Sequence, residues 1–468
     1  MIVNSFDFIW IFPIIFVIII AINSLSARRR TRVANIFLLV VSYGIFWYYN
    51  HTLTLALAGV TLATYLGALA VRRFGKGKVL VAMTVVIALI PLLGFKYYNF
   101  ISSNITSAMS ALGIEGKLPG LNYAIPLGIS FFTLQAIGYF LDVANGKVEA
   151  ERNLTDYMLF VSFFPQIASG PISKAGDLMP QIKGERAFDA DRATQGLKWL
   201  LWGMFMKVVV ADNIGDAISS PLAHSAQYTP GTVTLSVILY SMQIYCDFAG
   251  YSFMALGIGQ LLGFELVNNF DRPYFSSSIT EFWHRWHRSL STWLKEHIYF
   301  PLGGSRCGKW RNYFNIMVTF LVSGLWHGAN WTFLLWGGIH GGVQAVEKHF
   351  GWNKVAPKCR WLKVLKILLT FAVVTLAWIF FLQPSVGKAA ETIAAMFTSA
   401  GHKTVPLLFP AVLAAVVVAK DLVDELGLRH LNVLHHRFAA VRWVSYSALI
   451  FMIMVFAVYG EKFIYSGF

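Results

Sequence analysis

The stretch Gly324-Leu325-Trp326-His327-Gly328-Ala329-Asn330 sets a histidine inside a long apolar run. Asn315-Ile-Met-Val-Thr-Phe-Leu-Val322 precedes it and Trp331-Thr-Phe-Leu-Leu-Trp336 follows. An imidazole in such surroundings has little water to solvate it, so it finds partners within the protein or does chemistry. Ionisable residues at membrane depth are rare, costly and functional by default. The plainer alternative is a neutral histidine bonded to a carbonyl on a neighbouring helix. The run from about 314 to 346 is too long for one crossing of ~20 residues. It therefore predicts a break near Gly328 to Asn330, or at Gly337-Gly338. Gly324 and Gly328 have the Gly-x-x-x-Gly spacing that lets another helix or a ligand come close to the backbone. If the helix continues, Asn330 lies beside His327 and can orient its ring.

Composition agrees with a membrane setting. The chain of 468 residues is 56% hydrophobic, with a mean hydropathy of +0.58, and only 13% charged, about half of what a soluble domain carries. The net charge of +15 sits mostly between apolar runs, as in loops that face the cytoplasm, and this argues against a nucleic-acid partner. Cys246, Cys307 and Cys359 are scattered and make neither a disulfide framework nor a metal-ligand spacing, so no metal site is expected. No polar stretch is long enough for a soluble catalytic domain.

Taken in order, the chain predicts an all-α, polytopic integral membrane protein with about ten to twelve spans. It reads as one membrane domain, with N-terminal helices over 1–122, a core over 123–350 and C-terminal helices over 351–468. The basic cluster Arg28-Arg29-Arg30-Thr31-Arg32 follows the first apolar segment instead of preceding it. That segment therefore stays as a helix, with its N-terminus outside. Spans are expected near Ala34–Tyr49, Leu53–Leu69, Val79–Phe95, 197–212, 232–263, 362–382, 405–419 and 443–459. The Ser/Asn/Gly-rich segment 102–120 reads as an external loop. Ile125–Gln135 and Val161–Ile172 are apolar but broken by Pro and Gly, which membranes tolerate only where protein buries the backbone or a cavity borders it. Gln166 lies in the second of these as a candidate for lining the site. The last span would leave the C-terminus outside.

A second stretch, Glu281-Phe-Trp283-His284-Arg285-Trp286-His287-Arg288-Ser289-Leu290-Ser-Thr-Trp293-Leu294-Lys295-Glu296, reads as one amphipathic helix. Trp283, Trp286, Leu290, Trp293 and Leu294 fall on one face, and Arg285, Arg288, Thr292, Lys295 and Glu296 on the other. His287 projects with the tryptophans. His284 lies at the border, and His297 falls near the apolar face. Two inward histidines, one per helix, suit general-base activation of an alcohol. No serine elbow, phosphate loop or dinucleotide fingerprint is present.

These segments resemble the membrane-bound O-acyltransferase family, in particular its bacterial alginate O-acetyltransferase-like branch. The residues that carry the resemblance are Pro126-Leu-Gly-Ile-Ser-Phe-Phe-Thr133, Ser162-Phe-Phe-Pro-Gln166, Gln243-Ile-Tyr-Cys-Asp-Phe-Ala-Gly-Tyr-Ser252 and Asn269-Phe-Asp-Arg-Pro-Tyr274. Glu281–His287, Ser289–Leu294, Pro301-Leu-Gly-Gly304 and Gly324–Asn330 complete the set. The resemblance implies helices around a thinned central region, where an acyl group passes from a cytoplasmic thioester to an extracytoplasmic hydroxyl. It implies that His327 takes the proton of the acceptor hydroxyl and that His287 supports the geometry or the developing charge. Trp326 and Trp286, beside these histidines in sequence, are candidates for orienting a ring or lining the site. The donor would be acetyl-coenzyme A or an acyl-carrier protein, with no resident cofactor, and the acceptor an exported polysaccharide. D-alanyl transfer to teichoic acid and peptidoglycan O-acetylation are the alternatives within the family. A transporter or flippase is the alternative outside it, though no internal repeat supports that. Cys246 and Phe253 stand where relatives often have Phe and Asp, so that segment receives no catalytic role. His284 stands where Arg or Asn is more usual.

The ending Phe463-Ile-Tyr465-Ser-Gly-Phe468 resembles the F-x-Y-x-x-F ending of some bacterial members. It implies that Tyr465 is a transient acyl carrier, loaded through His327 and unloaded by a periplasmic or cell-surface transferase. The alternative is a terminal aromatic anchor at the interface. Mass spectrometry of the C-terminal peptide from active protein should find acyl-tyrosine. Its absence under trapping conditions, with full activity in Tyr465→Phe, would remove the carrier role.

Overall fold

The computed structural model describes residues 6–22, 25–49, 51–121, 128–167, 169–352 and 359–458. Tyr465 lies outside the described residues, as do 122–127 with the first residues of the Pro126 motif. Among the described residues the chain is helical and has no strand, only an isolated bridge between Tyr228 and Lys403. Six helices are long and apolar enough to cross a membrane, and two shorter apolar helices, Trp10–Ile22 and Ile129–Ala144, add to them. The other expected crossings fall in helices that are shorter, kinked or more charged. Large apolar side chains such as Leu55, Val79, Val86 and Met454 are exposed. In water such a surface would aggregate; against lipid it is the stable arrangement. The protein is a multi-pass membrane protein.

The contacts divide the chain into two compact units, 1–196 with 258–267, and 197–257 with most of the rest. The first unit runs α1 (Phe6–Ile22), α2 (Ala27–Tyr49), α3 (His51–Phe74), α4 (Lys78–Leu92), α5 (Tyr98–Ala111), α6 (Ile129–Ala144), α7 (Leu154–Ser162), α8 (Phe164–Ile167) and α9 (Ala175–Lys183). The basic cluster 28–32 forms the first turns of α2.

Segment 102–120 departs from its expected loop, since 102–111 continue as helix. Ser103, Asn104 and Ser107 bond back to the carbonyls of Phe100, Phe100 and Ser103 at 3.0, 2.7 and 2.9 Å. The helix itself therefore satisfies the polar side chains that suggested a loop.

The break after α7 is buried and bonded by side-chain amides. Gln135 donates to Phe160 O at 2.5 Å and accepts from Ser173 N at 3.1 Å. Gln166 donates to Gln135 Oε1 at 3.3 Å and accepts from the Ser173 hydroxyl at 2.7 Å. An irregular backbone persists at this depth because protein groups take its hydrogen bonds.

The second unit contains α10 (Ala190–Met204) from Leu197 onward, a π-helical turn at 205–211, and α11 (Asp212–Ala223). Then come α12 (Pro230–Leu261), α13 (Ile279–Arg285), α14 (Arg288–Leu294), α15 (Lys309–His327), α16 (Trp331–His349), α17 (Arg360–Leu382), α18 (Val386–Thr398), α19 (Leu408–Glu425) and α20 (Ala439–Phe456). Lys207, fully buried in the π-helical turn, lies 2.5 Å from Asp212 and 2.6 Å from Asp247 on α12. Arg285 pairs with Glu281 at 2.7 Å and with Glu425 at 2.8 Å, tying α13 to α19.

Removing one member of a buried ion set leaves an uncompensated charge and costs about 3–5 kcal/mol. Lys207→Met should lower the thermal midpoint of the detergent-purified protein strongly. An unchanged midpoint would show that the lysine does not hold α12.

Candidate active site

α15 and α16 form a hairpin whose backbones meet at two glycines. A Cβ at Gly324 would stand 2.2 Å from the Phe333 carbonyl oxygen, and one at Gly337 would stand 2.3 Å from that of Phe320. No side chain fits either place, so the hairpin closes only with glycine there. The break falls at the first of the two expected places. α15 ends at His327, Gly328 is extended, and Asn330 caps α16 by accepting from Thr332 N at 3.1 Å. The Asn330 amide N–H donates to the Pro384 carbonyl at 2.8 Å. The ring-orienting role expected for Asn330 needs an unbroken helix, and the break spends its side chain on the cap and on Pro384 instead.

His327 is buried, with its ring edge-on to Trp336 at 4.9 Å, to Trp326 at 4.8 Å and to Phe381 at 5.2 Å. His287 is also fully buried, 4.7 Å from Phe248 and 5.8 Å from Trp326. Trp326 thus touches both histidines, which brings the two motifs into one aromatic neighbourhood. Trp286 is fully buried against Phe270, Trp378 and Phe282 at 5.0, 5.1 and 5.4 Å. It is a packing post beside the site. Gln166 belongs to the first unit, within the amide network described above.

The stretch 281–296 is not one helix. It is split at Trp286-His287 into α13 and α14, because His287 adopts φ 44° and ψ 55°. This is a left-handed conformation that only glycine adopts freely, and other residues keep it where their surroundings enforce it. Asn269 enforces it here. Its carbonyl accepts from Arg288 N and its side-chain oxygen from Ser289 N, both at 3.1 Å. Next to this turn, Asp271 N donates to Arg285 O at 3.0 Å. Burial pushes the His287 imidazole well below the ordinary histidine range, so the ring is neutral at physiological pH.

A cavity of about 570 Å³ opens beside the hairpin. Trp283, Phe320 and Leu294 supply apolar wall, Thr280, Ser291, Thr292, Thr319, Ser323 and Gln344 polar wall, and Arg288, Lys295 and Lys348 three positive charges. His284 borders it too. Burial, with Lys295 next, lowers its pKa and so favours the neutral ring.

Sequence reasoning missed a third histidine of this neighbourhood, His340, which lies on α16. It is fully buried and accepts from Trp283 Nε1 at 3.3 Å. It stands in the same apolar run as His327, so the argument from the cost of burial applied to it equally.

Comparison with known proteins now decides the family. Residues 150–382 match the membrane-bound O-acyltransferase family. The protein named "Probable alginate O-acetylase" of Pseudomonas aeruginosa is 36% identical over 403 residues, covering 85% of this chain and 75% of that one. The chain belongs to the membrane-bound O-acyltransferase family. It is an enzyme that transfers acyl groups to hydroxyls. A peptidoglycan O-acetyltransferase of Helicobacter pylori is 35% identical over 66% of this chain and 63% of its own. A teichoic acid D-alanyltransferase of Streptococcus thermophilus is 29% identical over 57% and 70%.

The left-handed turn and neutral ring of His287 generate a prediction. His287→Asn keeps a neutral hydrogen-bonding side chain on a residue that tolerates this conformation, whereas His287→Ala keeps neither. Acyl transfer should survive better in the Asn variant, by about tenfold or more for one charge-stabilising donor. Equal loss in both variants, at equal protein levels, would mean that the imidazole is required for something else.

Proposed function

We propose that the chain moves an acetyl group from an anionic cytoplasmic thioester across the bacterial cytoplasmic membrane to a hydroxyl of an exported polysaccharide. The observation that carries this reading is the pair His327 and His287, buried around Trp326, with Ser323 before the one and Arg288 after the other lining a cationic cavity. The alginate O-acetylase relative supports acetyl and polysaccharide, since it is 36% identical over 85% of this chain, against 29% over 57% and 26% over 73% for two teichoic acid D-alanyltransferases. D-alanyl transfer and peptidoglycan acetylation would use the same histidines with another donor or acceptor.

Three cations, Arg288, Lys295 and Lys348, suit the phosphates of acetyl-coenzyme A or of a carrier protein's phosphopantetheine. The hydroxyl and amide groups of the wall suit the pantetheine amides. His327 removes the proton of the acceptor hydroxyl as its oxygen attacks the thioester carbonyl. The new C–O bond forms, the C–S bond breaks, and the leaving thiolate takes the proton back from His327. A helix C-terminus favours a cation beside it, and a helix N-terminus a neutral or negative group. His327 ends α15 and His287 precedes α14, which suits His327 to carry the proton and His287 to face developing negative charge. In this reading both termini lie outside, and a periplasmic or cell-surface acyltransferase completes the delivery.

Cells carrying His327→Ala should lose ester-linked acetyl from their surface glycans. Unchanged acetylation with normally folded protein would overturn the reading. In membrane vesicles, Arg288→Gln with Lys348→Gln should raise the KM for acetyl-coenzyme A about tenfold or more, since bonds to charged groups carry about 1.5–3 kcal/mol each. An unchanged KM would place the donor elsewhere.

A further inference from the structure

We infer that His340 is a positioning residue for acyl transfer, holding α13 against the α15–α16 hairpin by accepting the indole N–H of Trp283. The inference rests on the acyl-transfer reading and adds a residue to it.

The surroundings of His340 are those of a phenyl ring. Phe282 and Phe320 lie nearly parallel to it, at 6.2 Å and 9°, and at 6.3 Å and 20°. Trp336 meets it edge-on at 4.9 Å and Trp378 at 6.4 Å. Burying an imidazole in such a box costs free energy that an apolar ring would not. What the imidazole adds is an acceptor, Nδ1, 3.3 Å from Trp283 Nε1. Without it the buried indole N–H would go unsatisfied, which costs about 1–3 kcal/mol.

Seven residues on, and so on the same face of α16, Glu347 makes a second attachment. Its carboxylate accepts from Ile279 N at 2.6 Å, and from Thr280 N and the Thr280 hydroxyl at 3.1 Å. These are the first residues of α13, so α16 grips that helix at its start through Glu347 and at its middle through His340. α13 leads through Trp286 to His287, and α16 begins four residues after His327. The two attachments therefore set the spacing between the elements that carry the two catalytic histidines. Gln344 and Lys348 stand beside the same grip on α16 and line the cavity.

The test is a double-mutant cycle on membrane vesicles, with thiol release from acetyl-coenzyme A measured against donor concentration. His340→Leu should lower kcat about 10- to 100-fold, the scale of a misplacement of about 1 Å, and leave the KM within about twofold. His340→Asn, whose side-chain oxygen can stand near the position of Nδ1, should recover most of the loss. Trp283→Phe removes the donor, and His340→Leu added to it should lower kcat no further. Wild-type kcat in His340→Leu would overturn the inference, as would equal loss in the Leu and Asn variants or fully additive losses in the cycle. If His340→Leu does not fold, the Asn variant and Trp283→Phe decide it, because a wild-type kcat in Trp283→Phe also rules the bond out. Loss of activity in His327→Ala beside an unaffected His340→Leu would sink only this inference. Retained activity in His327→Ala would sink the acyl-transfer reading itself.

Discussion

The backbone-to-backbone contact of α15 and α16 at Gly324 and Gly337 is the constraint on which the site depends. With either Cβ present the two carbonyls would be struck at 2.2–2.3 Å, and the hairpin would have to open. Closed, it turns His327 onto Trp336 and brings α16 under α13. From there Glu347 and His340 reach the helix that leads to His287. A close approach between small residues is the usual packing device between membrane helices, and here it also fixes where His327 lies.

Around this hairpin the polar groups fall into two kinds. Lys207 with Asp212 and Asp247, and Arg285 with Glu281 and Glu425, are charges answered by charges; they hold helices together. Arg288, Lys295 and Lys348 line the cavity and give it a positive wall. The histidines differ from both kinds. They sit among aromatic rings, which keep water from the imidazoles.

The fold class and the helix positions were largely legible, because an apolar run of about 20 residues has few alternatives to a crossing helix. The errors came where local polarity misled. Ser103, Asn104 and Ser107 suggested a loop, yet each bonds to a carbonyl of its own helix. The stretch 281–296 has a clean helical period, yet it breaks at His287, because the hydrogen bonds that hold the turn come from Asn269, some twenty residues away. Periodicity sees neighbours three or four residues apart and cannot see such a partner.

From its residues alone the chain determined that it is a helical membrane protein and that His327 and His287 are expensive residues in need of a purpose. Those properties follow from composition and local spacing, which are physical facts of the chain before it folds. Only the tertiary structure decided that both rings share Trp326 and that His287 stands in a left-handed turn. It also decided that Asn330 caps a helix and that His340 holds Trp283. The reason is that these contacts join residues distant in sequence, and their geometry exists only once the helices have packed.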